Sequence, residues 1–451
     1  MESAAETENK TEEIKKGTSE RALLAAVEML SRWLAERDTL PLDRIMDSEF
    51  RGRRYLNSGE RRWIGEAIYG VVRHFTRQKT LLAALNLPET AANLIRSWAD
   101  APADPEISPA QFPQTAPLAD WESWQKALAS LPLPDSPADY LRVALSFPDA
   151  LAAELERLLG AEAIAAARAF NRPAPVTLRV NTLKASRERA LRDLPEAVPT
   201  AYSAVGITLP KRVNLPSLPG FREGRFEAQE EASQMMARLA GPEPGQNVVD
   251  VGAGAGGKTL ALAALMKNRG RLLALDISER RLEELTLRAK RAGASCIEPL
   301  AVPADSAGRW QPIGAGLRML DKWRGAADCV LLDAPCSGSG VIRRAPDTKW
   351  RAADISAFAR LQTVLLEQAS ELVKPGGTLC YATCAIEAAQ NEQIIESFLA
   401  GATGQNFEVA PLSPEFAPFA EGPFFRSWPH RHTMDAFFAS KIRRKGIGVR
   451  G

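Results

Sequence analysis

The sequence predicts an α/β protein with a mostly parallel sheet, preceded by an all-α region and a small α+β module. Three observations carry this. From Gln234 onward, short apolar runs alternate with amphipathic stretches, the pattern of strands joined by crossover helices. One of those runs, Asn247–Val251, opens directly into a glycine-rich turn and then a helical pattern, as in a Rossmann-like first βα unit. Before about residue 90 strand signals are absent, and apolar residues recur at helical spacing.

Taken in order, residues 1–17 are polar and read as a disordered tail. Residues 18–135 read as an all-α domain. Ser19 is a plausible N-cap for a helix carrying Leu23, Leu24, Val27, Leu30 and Leu34. A second amphipathic run carries Trp63, Ile64, Ala67, Ile68, Val71, Val72 and Phe75. Arg61, Arg62, Arg73 and Arg77 flank it, either for phosphates or as a solvated face. The domain ends in Ala101–Pro134, a proline-rich stretch that reads as a linker or irregular connection. Residues 136–228 read as the small module, with helical patterns at Tyr140–Phe147 and Ala150–Ala169. A strand at Pro175–Val180, a helix from Ser186 and short strands up to about Phe226 complete it. Residues 229–441 hold the sheet, with strands at Asn247–Val251, Arg271–Leu275, near Leu300–Val302, Ala327–Leu332 and Thr378–Ala382. Helices are expected at Glu279–Ala292 and Ala357–Leu372, and residues 442–451 read as a basic tail.

Composition narrows the function. The chain has 451 residues and a formal net charge of +2, so bulk electrostatics announces no nucleic-acid partner. No apolar signal core or membrane-length run is present, which predicts a cytoplasmic protein without a membrane partner. All five cysteines lie between Cys296 and Cys384, an arrangement that suits reduced thiols better than a disulfide framework. With only His74, His430 and His432 and no C-x-x-C pair, neither a metal site nor a serine–histidine triad is expected.

In an open α/β sheet, ligands bind beyond the carboxyl ends of the strands, so the residues just past each strand are the informative ones. Past Asn247–Val251 come Gly252, Ala253, Gly254, Ala255, Gly256, Gly257 and Lys258. Two readings fit. One is the Asp-x-Gly-x-Gly-x-Gly loop that binds S-adenosylmethionine. The other is a phosphate loop, because Gly252–Thr259 satisfies G-x-x-x-x-G-K-[ST]. Asp276 follows the next strand and is placed either for ribose hydroxyls or as a helix N-cap. Asp305, past the short strand near Leu300–Val302, is the candidate for the adenine end of a cofactor.

Two further strand ends decide between the readings. Val330–Leu332 delivers Asp333, then Pro335 and Cys336 on a rigid turn. Tyr381-Ala-Thr delivers Cys384. Phosphate chemistry has no use for a cysteine behind that proline. Cys329 and Cys380 lie within strands and, with Cys296, read as inert buried thiols. If the two strands are neighbours, Cys336 and Cys384 face one cleft. Two thiols beside a methyl donor suit one reaction. Carbon 5 of cytosine is a poor nucleophile, and a thiolate adding to carbon 6 converts the ring to an enamine whose carbon 5 can accept a methyl group. Lys258 would help to hold the thiolate, and Asp333 could hydrogen-bond the exocyclic amine and, if protonated, the ring N3.

These residues resemble the RNA 5-cytosine methyltransferases of the Sun/NSUN type, and most of all the RsmB-type branch that acts on bacterial 16S ribosomal RNA. The run Asp333–Trp350 looks like that family's fourth motif, and Tyr381–Glu387 with Asn391-Glu392 looks like its sixth. Gln229 with Ala232-Ser233-Gln234 matches its Gln-Asp-x-Ala-Ser-Gln box, with Glu230 replacing Asp. Trp428-Pro-His430 and Asp435–Phe438 resemble its closing segment, with Ala436 where glycine is usual. More loosely, the N-terminal helices, above all Tyr69-Gly-Val-Val-Arg73, resemble the NusB-like RNA-binding domain of bacterial members.

The resemblance implies a Rossmann-like S-adenosylmethionine-dependent methyltransferase domain behind an all-α NusB-like domain and a small α+β RNA-contacting module. It implies Cys384 as nucleophile, Cys336 as assistant in product release, and cofactor contacts from Gly252–Lys258, Asp276, Asp305 and Asp333. RNA, ribosomal RNA above all, would be the partner of a monomeric enzyme, with Arg343, Arg344, Lys349 and Trp350 as candidate RNA contacts, Trp350 being equally placed to be a core residue. One departure stands out. The family loop is usually Cys-Ala-Ala-Pro-Gly-Gly-Lys-Thr, and here Gly252, Gly254 and Ala255 replace the Cys, the second Ala and the Pro. A P-loop nucleotide hydrolase and a non-catalytic RNA-binding assembly factor are the competing functions.

Overall fold

The computed structural model describes residues 20–102, 117–211 and 213–446. The expected acidic tail at 1–17 and Arg450 lie outside the described residues. The chain forms two compact units, one of residues 1–173 with 341–352, the other of residues 174–340 with 353–451.

The first unit is helical throughout its described residues. Helices at residues 20–36, Leu42–Gly52, Ser58–Arg73, Phe75–Ala84 and Ala91–Asp100 bury Trp33, Ile64, Ile68, Val72 and Trp98 in one core. Asn57 caps the Ser58 helix through a capping box with Glu60, which closes the orphan amides of its first turn. Gly70 lies flat against the Trp98 indole, where a Cβ would meet a ring carbon at 2.3 Å. Three of the four arginines named along this helix, all but the exposed Arg62, have local work. Arg61 donates to the carbonyls of Phe50, Arg53 and Leu56, Arg73 to that of Arg343, and Arg77 to that of Ala101. The proline-rich stretch, read as a linker, contains the helix Trp121–Ala129, started by Asp120 accepting from the Ser123 amide. Asp149–Leu159 and Ala163–Phe170 stand where a single helix was expected, broken by Gly160 at φ 50°.

The second unit holds two sheets. The smaller is antiparallel, with strands β1 (Val176–Val180), β2 (Val198–Pro199), β3 (Gly206–Leu209) and β4 (Phe226–Ala228) in the order β2-β3-β1-β4. The larger is built from β5 (Asn247–Val251), β6 (Arg271–Asp276), β7 (Ile297–Ala301), β8 (Ala327–Asp333), β9 (Val373–Thr383), β10 (Phe407–Val409), β11 (Ala420–Glu421), β12 (Phe424–Ser427) and β13 (Phe437–Arg444). Its order is β11-β12-β13-β9-β8-β5-β6-β7, with β10 pairing β13. Strands β5 to β9 run parallel, and β13 is antiparallel to β9. Both faces of the parallel part are covered, so these strands read as nearly continuous apolar runs. Val249, Leu273, Val330, Leu332 and Leu379 are fully buried in that core.

The expected Rossmann-like core is therefore present, with one correction at its end. Residues 442–444, read as part of a basic tail, belong to β13, which pairs with β9 over six residues. Chain order reverses between β5 and β8, since β6 and β7 lie on one side of β5 while β8 and β9 lie on the other. That makes the carboxyl ends of β5 and β8 a topological switch point, where such sheets hold ligands.

Candidate active site

The glycine loop leaves β5 at this switch point. Gly252 has φ 81° and Gly256 has φ 90°, a region that suits glycine. Space makes the same demand. A Cβ on Gly252 would sit 2.5 Å from the Asp333 carbonyl oxygen, and one on Gly256 would sit 2.1 Å from Leu285 Cδ1. Loop and β8 therefore approach backbone to backbone. The helix Gly257–Leu265 starts directly behind the loop, so its first amides, which have no intrahelical partner, face the loop.

Asp276 ends β6 and accepts from the Gly254 amide at 2.8 Å through Oδ2 and from the Ser278 amide at 2.8 Å through Oδ1. The N-cap of the next helix is Ser278, so Asp276 is not spent on capping. Of the two expected roles the N-cap is thus filled by Ser278, and the remaining lone pairs of Asp276 are of the kind that accept from hydroxyls. Asp305 is exposed, four residues past β7. It accepts from the amides of Ala307 and Arg309 at 2.9 Å each, and these bonds hold its carboxyl below the usual range.

Asp250 was passed over as a site residue, yet it is buried at the root of the loop. Oδ2 accepts from Thr259 Oγ1 at 2.6 Å, while Oδ1 has no hydrogen-bond partner. Burial pushes its pKa up to about 7, with Asp333 adding to the rise. Between about pH 4 and 7 the folded state holds a proton that the unfolded state has released, so the Asp250 contribution falls as pH rises through that window. Asp250→Asn, measured by urea unfolding from pH 4 to 8, is expected to flatten this slope and to gain on the order of a few kcal/mol above pH 7.

The reacting groups cluster beside the loop. Parallel pairing of β8 with β9 sets Asp333 opposite Ala382, which makes the two cysteine-bearing strands neighbours. Cys336 Sγ and Cys384 Sγ are 3.4 Å apart. Lys258 Nζ donates to Asp333 Oδ2 at 2.7 Å and stands over the Phe437 ring. Burial pulls the Lys258 pKa down, but the Asp333 carboxylate, with smaller help from Cys384 and Asp250, outweighs it and leaves the ammonium raised. Lys258 is therefore a fixed cation. The thiols behave as a pair. A hydrogen bond from Cys384 lowers the Cys336 pKa. The same bond, then burial and the charges of Cys336 and Asp333, lift Cys384 well above the ordinary thiol value.

A polar frame that sequence reasoning passed over fixes the two cysteine loops. Glu387 Oε2 accepts from Ser337 Oγ, Ser339 Oγ and Gln390 Nε2. Gln390 Oε1 accepts from the Ser337 amide at 3.0 Å, and Gln362 Nε2 donates to the Pro335 carbonyl at 2.9 Å. Thr383 Oγ1 donates to Asn391 Oδ1 at 2.5 Å. At Gly340 the loops touch, and a Cβ there would meet the carbonyl oxygens of Ala436 at 2.2 Å and Cys384 at 2.7 Å. The small residues of Ser337-Gly-Ser-Gly340 were the available signal. Glu230 keeps a defined job. It caps the helix Glu231–Ala240 by accepting from the Ser233 amide, while its other oxygen accepts from the Asp435 amide.

Four expected RNA contacts divide. Residues 341–352 belong to the helical unit. There Lys349 is 4% exposed and donates to the Arg73 carbonyl at 2.6 Å and to Asn171 Oδ1 at 3.1 Å. Burial drives its pKa well down. Trp350 packs on Phe75 and donates to the Val72 carbonyl at 2.7 Å. The expectation of RNA contact is corrected for Lys349, whose amino group is committed to the interior, and for Trp350 the core alternative is the one observed. Lys349→Ala is expected to cost about 1–3 kcal/mol of stability, read as a lower thermal midpoint, with little change in RNA affinity. Arg343 and Arg344 are half-buried.

Residues 237–443 match the family described as 16S rRNA methyltransferase RsmB/F, and residues 147–216 match its ferredoxin-like domain. The probable ribosomal RNA small subunit methyltransferase B of Synechocystis sp. is 33% identical over 310 residues, covering 66% of this chain and 67% of that relative. Across the first curated relatives, the chain spans 61–67% of their length. Among solved structures, a methyltransferase homologue from Pyrococcus horikoshii is 32% identical with a TM-score of 0.57, covering 69% of this chain and all of that one. The protein PH0851 is 28% identical with a TM-score of 0.72, covering 94% of this chain and 98% of that one.

Proposed function

The chain belongs to the RsmB/F family of methyltransferases, with S-adenosylmethionine as cofactor, and from this premise we propose that it methylates carbon 5 of a cytosine in RNA, ribosomal RNA first, through a covalent cysteine adduct. The single observation behind this reading is the pair of thiols 3.4 Å apart, flanked by the Lys258–Asp333 ion pair.

The residues at the switch point fit the cofactor. Gly252–Lys258 offer backbone amides on a loop that approaches closely, Asp276 suits the ribose, and Asp305 suits the adenine end. The free Oδ1 of Asp250 is a buried acceptor of the kind an ammonium group would satisfy. Bound there, S-adenosylmethionine supplies an electrophilic methyl group on a sulfonium.

The chain's own residues do the rest. Cys336, the lower-pKa thiol of the pair, starts as the thiolate and takes the proton of Cys384 across their hydrogen bond, and the resulting Cys384 thiolate adds to carbon 6 of the base. The C5=C6 π electrons move into the ring, making carbon 5 nucleophilic. Asp333, fixed by Lys258, faces the polar edge of the base, and Lys258 offsets the negative charge that gathers during addition. After carbon 5 is methylated, a base in the cleft takes its proton, the C6–S bond breaks, and Cys384 leaves as a thiolate. The Cys336 S–H donates to that departing sulfur. One proton is released per methyl group transferred. A target inside folded RNA must be unstacked to reach Cys384, and Arg343 and Arg344 are the candidates for backbone contacts.

The phosphate-loop reading has less support. The lysine that would hold phosphates is bound to Asp333 beside two thiols. Incubating the full chain with 16S ribosomal RNA and S-adenosylmethionine, then mapping by bisulfite sequencing, tests the proposal. A new protected cytosine is expected, and methylation at any other atom would overturn it.

A further inference from the structure

The glycine loop is gripped from outside the large sheet by a charged cluster. Arg288, on the helix Glu279–Ala292, donates from Nη1 to the Ala255 carbonyl at 2.6 Å and from Nη2 to Glu227 Oε2 at 3.0 Å. Glu227 lies on β4 with its side chain 3% exposed, and its other oxygen pairs with Arg291. Across the β1–β4 pair, Glu227 is opposite Arg179. Buried Arg179 donates from Nε to Gln229 Oε1 at 2.5 Å. The Gln229 amide in turn lies 3.9 Å from where a Gly257 side chain would begin. The loop is thus approached at two points, at Ala255 by the Arg288 guanidinium that Glu227 of the small sheet holds, and at Gly257 by the amide of Gln229, which follows β4.

The physical need is specific to this loop. Three glycines at positive φ, Gly252, Gly254 and Gly256, give its backbone more freedom to lose than any other residue type would. Ala255 adds no ring to stiffen it. A buried carboxylate such as Glu227 must be paired with cations, so the Arg288 guanidinium is held in place by Glu227. The carbonyl it grips is held with it.

We infer that Arg288 is a positioning residue for the cofactor: by fixing the Ala255 carbonyl it pre-sets the loop amides, offsetting the freedom the glycines introduce. The inference rests on the reading that this loop takes S-adenosylmethionine. Pre-organisation of this kind acts on affinity by cutting the ordering cost of binding.

The test uses the full chain and two readouts. Arg288→Met is expected to speed amide hydrogen exchange across Gly252–Lys258 without ligand, and to weaken S-adenosylmethionine binding on the order of tenfold by calorimetry. Adding Ala255→Pro to Arg288→Met is expected to recover part of that affinity, since a ring stiffens the loop by another route. A role confined to stapling the sheets together would not respond to that rescue. Arg288→Lys keeps a cation beside Glu227 but cannot fork to both acceptors, so it carries the test if the methionine variant does not fold. Unchanged loop exchange and unchanged affinity in a folded variant would overturn the inference. Exchange is read without ligand, so it decides the clamp even if the unaltered chain bound no S-adenosylmethionine. That outcome would instead overturn the functional reading.

Discussion

Cys384→Ala is expected to remove methyl transfer to RNA, by roughly three orders of magnitude or more. Without a thiolate at carbon 6, the pyrimidine ring offers no nucleophile at carbon 5, and nothing else in the cleft replaces it. Lys258 is held as a cation, and Cys336 lies in the loop past a different strand, β8. Cys384 lies past β9 while the glycine loop lies past β5, so affinity for S-adenosylmethionine should change little. A transfer assay with tritiated methyl donor and a calorimetric titration on the same sample separate the two effects. Full activity in this variant would place the nucleophile elsewhere.

Cys336→Ala is expected to do the opposite of silencing the site. It should accumulate a protein–RNA adduct that survives denaturing electrophoresis. In the unaltered chain, the hydrogen bond to Cys336, then burial, and then the Cys336 charge hold the Cys384 pKa up. Alanine removes the first and third of these, so Cys384 ionises and adds to carbon 6 more readily. What alanine cannot provide is the S–H donor that helps the thiolate depart. Addition is kept and release is slowed. Peptide mapping of the trapped species should find the nucleotide on Cys384, and an adduct elsewhere would reverse the roles given to the two thiols.

Much of the site was legible because parallel strands deliver their carboxyl ends to one edge. Once Asn247–Val251 and Ala327–Leu332 read as strands, Gly252 and Asp333 had to lie near that edge, and the structure adds that they meet backbone to backbone. The helix Glu279–Ala292 has the bounds expected from the sequence, but its N-cap is Ser278, where Asp276 was the candidate, and Gly293 in the left-handed conformation stops it. Adjacency of the two cysteine strands was only conditional in the sequence, since strand order depends on packing that sequence order does not contain.

Other features were hidden by residue type. A lysine soon after the Pro-Cys loop reads as a surface contact, and nothing local reveals that Lys349 is swallowed by a helical core. Arg288 looks like a solvated position on an amphipathic helix, and its partners Glu227 and Ala255 lie far away in sequence. In β13, Lys441, Arg443 and Arg444 masked a strand whose apolar face is Phe438 and Ile442. The helix Trp121–Ala129 was obscured by the prolines around it, although Asp120 gave a usable cap.

The central claim is that carbon 5 is methylated by way of a carbon 6 adduct, and loss of the carbon 5 hydrogen tests it most directly. Ribosomal RNA carrying tritium at carbon 5 of its cytosines, incubated with the full chain and unlabelled S-adenosylmethionine, should release tritium to water. Release should match methyl groups incorporated one for one and be absent with Cys384→Ala. Methyl incorporation without tritium release would contradict the account.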